Sequence, residues 1–193
     1  MELLSETVQE KKPRHPWNKG KLIGAKPPLR AKHVWSIRTM LQIEGRKRDL
    51  ALFNLAIDSK LRGCDVVSLK VEDVAPRGYA IDRATVLQKK TGHLVRFEIT
   101  EQTRQAIDEY INIESKQSFD FLFNGRKSTK RCLTTRHYAR LVTERIGSCR
   151  LYPIDYGTNS LRRTKATMIY ERTGYLRAVQ LLLGHTKIEN TVR

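Results

Sequence analysis

The stretch AIDSKLRGCDVVSLKVEDV, residues 56–74, places an arginine between two helical patterns. Apolar residues recur at helix spacing before it, from Leu50 to Ile57. A second pattern begins near Cys64, and Asp65 follows the arginine by three positions. The segment therefore predicts that Arg62 lies at the junction of two helices.

Helical patterns also dominate on either side of this junction. Val34, Ile37 and Leu41 keep helix spacing, and Gly45 is a natural end for that segment. The sequence EQTRQAIDEYI after Thr100 predicts another helix, for which the hydroxyl groups of Thr100 and Thr103 are candidate caps. Further helices are predicted over residues 134–146, 160–172 and 176–184.

Strand signals are confined to the middle of the chain. RATVLQKK and HLVRFEI alternate apolar and polar residues around Thr91-Gly92, which predicts a hairpin with Lys89 and Lys90 near its tip. The apolar run from Phe119 to Phe123 is compatible with a strand or a loop. The predicted class is α+β, mainly α-helical, with one small antiparallel sheet.

The charge of the chain indicates a polyanionic partner. There are 37 Lys and Arg residues against 20 Asp and Glu residues, a formal net charge of +17. Such an excess attracts DNA, RNA or anionic lipid. The basic residues do not line one face of an amphipathic helix, as membrane-surface binding requires, so nucleic acid is favoured.

Residues 1–29 are predicted to be a basic N-terminal arm, and residues 30–193 the folded domain. Eight basic residues and no acidic one lie between Lys11 and Lys32, interrupted by prolines and glycines. A segment of this composition buries too little apolar surface to fold alone. It is either a solvated tail or an arm that follows the DNA backbone; in the second case the contacts come from Lys11, Lys12, Arg14, Lys19 and Lys21.

Other classes of site are not indicated. Cys64, Cys132 and Cys149 are widely spaced and without Cys/His clustering, so neither a disulfide framework nor a metal site is expected. No apolar run reaches eighteen residues, and the first residues do not form a signal peptide. A cytoplasmic protein is expected.

Two further segments accompany the arginine junction. TNSLRRTKATMIY, residues 158–170, places Arg162 near the start of a helix. In LRAVQLLLGHTKIENTVR, residues 176–193, an apolar helix ends at Gly184 and His185 follows.

Together these segments resemble the tyrosine recombinase family, the relatives of phage integrases. The first motif of that family reads roughly G-L-R-x-x-E/D-L-x-x-L, and SKLRGCDVVSL is similar to it at Leu61, Arg62, Asp65, Val66 and Leu69. The second, H-x-L-R-H-T-x-A-T, is similar to NSLRRTKAT, and the third, L-G-H-x-x-x-x-T-x-x-Y, to LGHTKIENTVR. The family's hairpin lysine has a counterpart in KKTGHLVRFEI. The resemblance covers about residues 30–193 and implies the catalytic-domain fold of the family.

The resemblance implies a chemistry and a role for each matching residue. A tyrosine oxygen attacks the scissile phosphate, forms a 3′-phosphotyrosyl link and releases a 5′-hydroxyl, without a metal or other cofactor. Arg62 and Arg162 would clamp the phosphate, because a guanidinium is permanently charged and presents a fork of donors. Lys90, preferred to Lys89 because it directly precedes Thr-Gly, would protonate the leaving oxygen. His185 would hydrogen-bond a phosphate oxygen, Asp65 would orient Arg62, and Arg163 and Lys89 would contact DNA.

Two departures from the family pattern matter for the chemistry. Asn159 stands where the second motif has histidine, and an amide cannot shuttle a proton near neutral pH. Matching the threonine of the third motif to Thr191 requires one more residue in the loop after His185. The tyrosine of the motif is then expected immediately after Arg193, so a truncated chain is suspected. Tyr152, Tyr156, Tyr170 and Tyr175 are poor substitutes, because none occupies the motif position.

Three functions follow from these features. The favoured one is a site-specific recombinase that acts on double-stranded DNA as a homo-oligomer, with no small-molecule substrate and no membrane partner. The second is a catalytically inactive relative that occupies recombination sites, which Asn159 and the missing tyrosine support. The third, an RNA- or lipid-binding basic protein, accounts for the charge but for none of the motifs.

Overall fold

The structure is a computed structural model that describes residues 24–125 and 128–183. The five basic residues predicted for the arm, Lys11 to Lys21, lie outside the described residues, as does His185. Residues 24–29 are described and lie against the domain. Lys26 donates to the carbonyl of Tyr156 at 2.9 Å, and Leu29 is buried with its amide 3.0 Å from Thr164 Oγ1.

The first half of the domain is built around one buried helix. α1 spans Ala31–Ile43 and α2 spans Lys47–Ser59, and Gly45 links them with a φ of +64° that favours glycine. Almost every residue of α2 from Asp49 onward is buried, because α1, α5 and α7 pack around it. Two short helices follow, α3 at Gly63–Val67 and α4 at Val71–Val74.

The predicted hairpin is present. β1, Arg83–Leu87, pairs antiparallel with β2, Leu94–Glu98, in a register that sets Thr85 opposite Arg96. Ala84, Val86 and Phe97 face the core, as the alternation of the sequence requires. Gly92 closes the turn with a φ of +65°.

Four longer helices complete the described domain. They are α5 at Glu101–Ile113, α6 at Thr135–Ser148, α7 at Thr158–Thr173 and α8 at Leu176–Leu183, with a 3₁₀ turn at Pro153–Asp155. Gly174 ends α7 with a φ of +67°, and α8 folds back on it. The mainly helical α+β class with small antiparallel sheets is therefore confirmed.

Local predictions failed at two places. A second hairpin, β3 at Asn124–Gly125 with β4 at Ser128–Cys132, lies beyond the ambiguous run at Phe119–Phe123. Thr100 is the residue before α5, but neither its hydroxyl nor that of Thr103 caps the helix. Both hydroxyls donate to the buried carboxylate of Asp58, at 2.7 and 2.6 Å, because this carboxylate lies opposite the start of α5.

Candidate active site

Arg62 is held at the start of α3, at the junction that the sequence predicted. Its backbone carbonyl accepts from the amides of Asp65 and Val66, which fixes the first turn. A Cβ at the neighbouring Gly63 would lie 3.3 Å from the Tyr138 ring, so α3 begins in close contact with α6. The Arg62 guanidinium is half-buried and donates to Oε1 of Gln88, directly after β1.

Arg162 lies in the second turn of α7 and is half-buried. Its Nη2 donates to the backbone carbonyl of Leu183, the last residue of α8. Its Nε is buried and has no hydrogen-bond partner among the described residues. A buried donor without a partner is uncommon in folded proteins, so an acceptor from outside the described residues would stabilise this N–H.

The two arginines lie close enough to influence each other. Burial, and next the charge of Arg62, lower the pKa of Arg162 to about 10, while Asp65 acts in the opposite direction. Two guanidinium groups that repel each other in a half-buried site are stabilised by an anion between them. A Cβ at Gly63 would also lie 3.7 Å from Cβ of Thr158, so the start of α3, which carries Arg62, contacts the first turn of α7, just before Arg162. The structure therefore brings both arginines of the predicted clamp to the contact between α3 and α7.

Asp65 makes a different contact from the expected one. In place of a bond to Arg62, its Oδ1 accepts from the backbone amide of Lys89 at 2.9 Å. Its Oδ2 has no hydrogen-bond partner among the described residues. The buried carboxylate therefore anchors the tip of the β1–β2 hairpin to α3, next to Arg62.

The other predicted site residues that the structure describes differ in how far they are buried. Lys89 and Lys90 are exposed in the hairpin turn, and Asn159 is exposed in the first turn of α7, three residues before Arg162. Arg163 is half-buried, and its Nη1 lies 3.5 Å from the carbonyl of Lys26.

Gln88 is a site residue that the sequence did not reveal. It is only 4% exposed, and its Oε1 accepts both from Arg62 and from the Thr91 hydroxyl at 2.8 Å. Gln88 therefore links Arg62 to the hairpin turn, while Asp65 binds the Lys89 amide of the same turn. The alternation of β1 continues to this position and predicts an inward side chain, but nothing in the pattern indicates its partner.

Lys60, Lys165 and Asp58 were also missed. Lys60 stands where the first motif has glycine, and its φ of +54° lies in the left-handed region that favours glycine. The lysine in place of the motif glycine was the sequence signal that could have pointed to this position. Lys165 forms an ion pair with Asp58 at 2.7 Å, across the contact between α7 and α2.

Within residues 24–125 and 128–183, no three His, Cys, Asp or Glu side chains are grouped so that they could hold a metal ion. No helix in the same ranges has the length and apolar character needed to cross a membrane.

Comparison with known proteins identifies the family. The model of the phage integrase family matches residues 29–193, so the chain belongs to this family. It is 31% identical over 147 residues to the probable integrase/recombinase YoeC of Bacillus subtilis strain 168, covering 76% of both chains. It is 25% identical over 150 residues to the tyrosine recombinase XerC of Caldanaerobacter subterraneus subsp. tengcongensis, covering 76% of this chain and 40% of that protein.

Solved structures share the fold. The XerA recombinase superposes with a TM-score of 0.71 at 18% identity, covering 93% of this chain and 62% of XerA. The XerH recombinase bound to its difH substrate gives 0.67 at 20% identity, covering 88% and 51%. A lambda integrase dimer bound to a core site gives 0.65 at 15% identity, covering 90% and 49%. The chain thus spans about half to three fifths of these structures, and its fold is that of a tyrosine recombinase catalytic domain.

Proposed function

We propose that this chain carries the catalytic site of a site-specific DNA recombinase that cuts and rejoins double-stranded DNA through a 3′-phosphotyrosyl intermediate. The observation that carries the proposal is that the contact between α3 and α7 brings the half-buried Arg62 and Arg162 near each other, with an N–H on Arg162 that has no partner among the described residues. Family membership supports recombination as the biological process. The DNA in the XerH and lambda integrase structures supports duplex DNA as the partner.

In the proposed reaction the two arginines bind the non-bridging oxygens of the scissile phosphate. The tyrosine hydroxyl releases its proton to water as its oxygen forms a bond to phosphorus, and the bond from phosphorus to the 5′-oxygen breaks. Lys90 donates the proton that the leaving 5′-oxygen requires, and His185 donates a hydrogen bond to a phosphate oxygen. A charged donor fixed in advance lowers the barrier because it needs no reorganisation during the reaction.

Contacts of the β1–β2 turn fix the position of the backbone that carries Lys90. Asp65 and Gln88 hold the two sides of the turn that carries Lys89 and Lys90, and Gln88 also binds Arg62. The turn is therefore fixed relative to the clamp, while the Lys90 side chain stays exposed and free to meet the leaving group.

We assign the nucleophile to a tyrosine at the position that follows Arg193, from the third motif. By this proposal the exposed Tyr152 and Tyr175 do not replace the nucleophile. Residues 1–23 act as a basic arm along the DNA backbone, whereas residues 24–29 pack against the domain. Assembly on DNA is as a homo-oligomer.

A second candidate function is a DNA-binding relative that does not cut. Asn159 favours it, because the exposed first turn of α7 presents an amide where the motif has histidine. Under this alternative the clamp binds phosphate, but the chain forms no adduct even when a tyrosine follows Arg193.

The test is covalent capture by a chain extended with a tyrosine and a short helical tail. The substrate is a pool of nicked duplexes with a randomised core, and adducts are detected on denaturing gels. Arg162→Ala should abolish adducts while most duplex affinity remains, since Arg162 makes one contact among many. Arg163→Ala, on the next residue of the same helix, is the matched control and should retain adducts. Normal adduct yield in Arg162→Ala would overturn the assignment.

A further inference from the structure

A positively charged cavity is lined by residues near Arg62 and Arg162 in the sequence. It has a volume of about 380 Å³ between the outer face of the β1–β2 hairpin and α7. Four of its lining side chains are basic and one is acidic, and Phe97 and Ile169 supply apolar wall; the five charged residues are Lys60, Arg83, Arg96, Glu98 and Lys165. None of these residues has a role in the proposed cleavage reaction.

The positive charge of this cavity is not balanced by the protein. Arg83 pairs with Glu98 at 3.2 Å, and Lys165 pairs with Asp58 at 2.7 Å, which uses both nearby carboxylates. Lys60 donates only to the backbone carbonyl of Asp58, at 3.0 Å, and Arg96 has no ion pair among the described residues. Two cations therefore face the cavity without a carboxylate of their own.

Lys60 is an unusual residue to bury at this point. The residue is only 4% exposed, and its left-handed backbone conformation is unfavourable for a non-glycine residue. Burial, and next the charge of Lys165, lower the pKa of Lys60 to about 8. The charge of Lys60 is thus held in an unfavourable state, which an anion in the cavity would relieve.

We propose that the cavity lined by Lys60, Arg96 and Lys165 binds a phosphate group. Ammonium and guanidinium donors on three separate elements converge there, and the apolar wall strengthens their attraction for an anion by excluding water. The volume admits one phosphate with room for an attached group.

The position of the cavity indicates where that phosphate comes from. Lys60 precedes Arg62 by two residues, and Lys165 follows Arg162 by three residues, about 4.5 Å along the axis of α7. The source is a backbone phosphate of the DNA strand that occupies the clamp, a step that rests on the proposed function. A free phosphate compound is the other source of the same chemistry.

Labelling of lysine amines with an acetylating reagent at pH 8, read by mass spectrometry, tests the cavity. Inorganic phosphate, at ionic strength matched with chloride, should reduce labelling of Lys60 and Lys165 roughly tenfold, the effect of about one charge-assisted hydrogen bond. Lys32, exposed on α1, is the reference amine within the same chain. Protection should be lost in Arg96→Gln and kept in Arg77→Gln, an exposed arginine outside the cavity.

Duplex DNA forms the second arm and identifies the source. A backbone phosphate is supported if DNA protects Lys60 from labelling in the native chain and this protection is lost in Arg96→Gln. Lys89 should stay protected by DNA in both chains. Protection by inorganic phosphate alone assigns the cavity to a free phosphate compound. No protection by either, or protection unchanged in Arg96→Gln, overturns the proposal. Repeating the inorganic phosphate experiment with Arg162→Ala separates the phosphate-binding cavity from the proposed cleavage site. Phosphate should still protect Lys60 when the cleavage site is disabled.

Discussion

The ammonium group of Lys165 lies 2.7 Å from a carboxylate oxygen of Asp58, and this ion pair joins the two helices that bring the arginines together. Asp58 lies four residues before Arg62, and Lys165 three residues after Arg162. The second oxygen of Asp58 accepts from the amide and hydroxyl of Thr100 and the hydroxyl of Thr103. Burial alone would raise the pKa of Asp58, but Lys165 and these hydrogen bonds outweigh it, so the pKa is lowered.

Breaking this pair should be costly. Asp58→Ala should lower the free energy of unfolding by about 3–5 kcal/mol, because it leaves Lys165 and the two threonines without their shared acceptor. Urea unfolding followed by circular dichroism measures the loss. Glu72→Gln, which removes the exposed pair with Lys70, is the control and should change stability by less than about 1 kcal/mol. Similar losses in the two variants would contradict the role given to Asp58.

The Asp65 contact predicts a local change in hydrogen exchange. Asp65→Ala removes the acceptor of the Lys89 amide, so exchange at Lys89 should accelerate roughly tenfold, the effect of about one hydrogen bond. The Leu122 amide, which donates to the carbonyl of Leu69, reports global opening and should change less. Equal acceleration at both amides would mean that Asp65 supports the whole domain and has no particular effect on the hairpin.

Sequence reasoning succeeded where a pattern is local and failed where a partner is distant. The period of α1 and the alternation of β1 and β2 gave their positions directly. α4 has four residues, too few for helical periodicity to register, and β3–β4 contains no extended alternation. The hydroxyls of Thr100 and Thr103 look like helix caps in sequence, and only the fold brings Asp58 to them.

The site shows the same division. Residue spacing alone does not place Arg62 beside Arg162, a hundred positions later; the resemblance to a family did so. Gln88 and the backbone contact of Asp65 were missed because both depend on how the hairpin turn packs against α3.

Lys60 predicts a specific dependence of stability on pH. Its pKa is about 8 in the folded chain against an ordinary 10.5, so the unfolded chain binds this proton more tightly. The charged form of Lys60 therefore lowers the free energy of unfolding below pH 8, and this loss disappears as the pH rises toward 10.5. The charged groups facing it are Asp58, Glu98, Arg83, Arg96 and Lys165.

Comparison with Lys60→Gly isolates this effect. The variant should be the more stable chain at pH 7, because glycine accepts the positive φ and removes the buried charge. Between pH 7 and 9.5 the native chain should gain about 2 kcal/mol relative to it. Lys89→Gln, at an exposed lysine, should show a difference from the native chain that does not vary with pH. If the free energies of unfolding of the native chain and Lys60→Gly changed with pH in parallel, the lowered pKa of Lys60 would be refuted.

Duplex affinity should depend strongly on salt. Each phosphate neutralised by Lys or Arg releases counterions, so the association constant should fall roughly tenfold or more between 50 and 200 mM salt. Fluorescence anisotropy with a labelled duplex measures the slope. Removing residues 1–23 should reduce the slope if the arm follows the DNA backbone. An affinity independent of salt would show that the net charge of +17 is not used for DNA binding.

Asn159→His separates the two candidate functions. In the proposed reaction a histidine at this exposed position of α7 would supply the proton transfer that an amide cannot, so the substitution should increase the rate of adduct formation, by about 10²-fold if it acts as a full general base. The background is the chain extended by a tyrosine after Arg193, assayed by time courses on denaturing gels. Asn159→Gln is the matched control, since it keeps the amide and should not accelerate the reaction. If the extended chain makes slow adducts that the histidine accelerates, the chain is a weakened recombinase. If neither chain makes adducts while both bind duplex DNA, the DNA-binding relative that does not cut is the correct assignment.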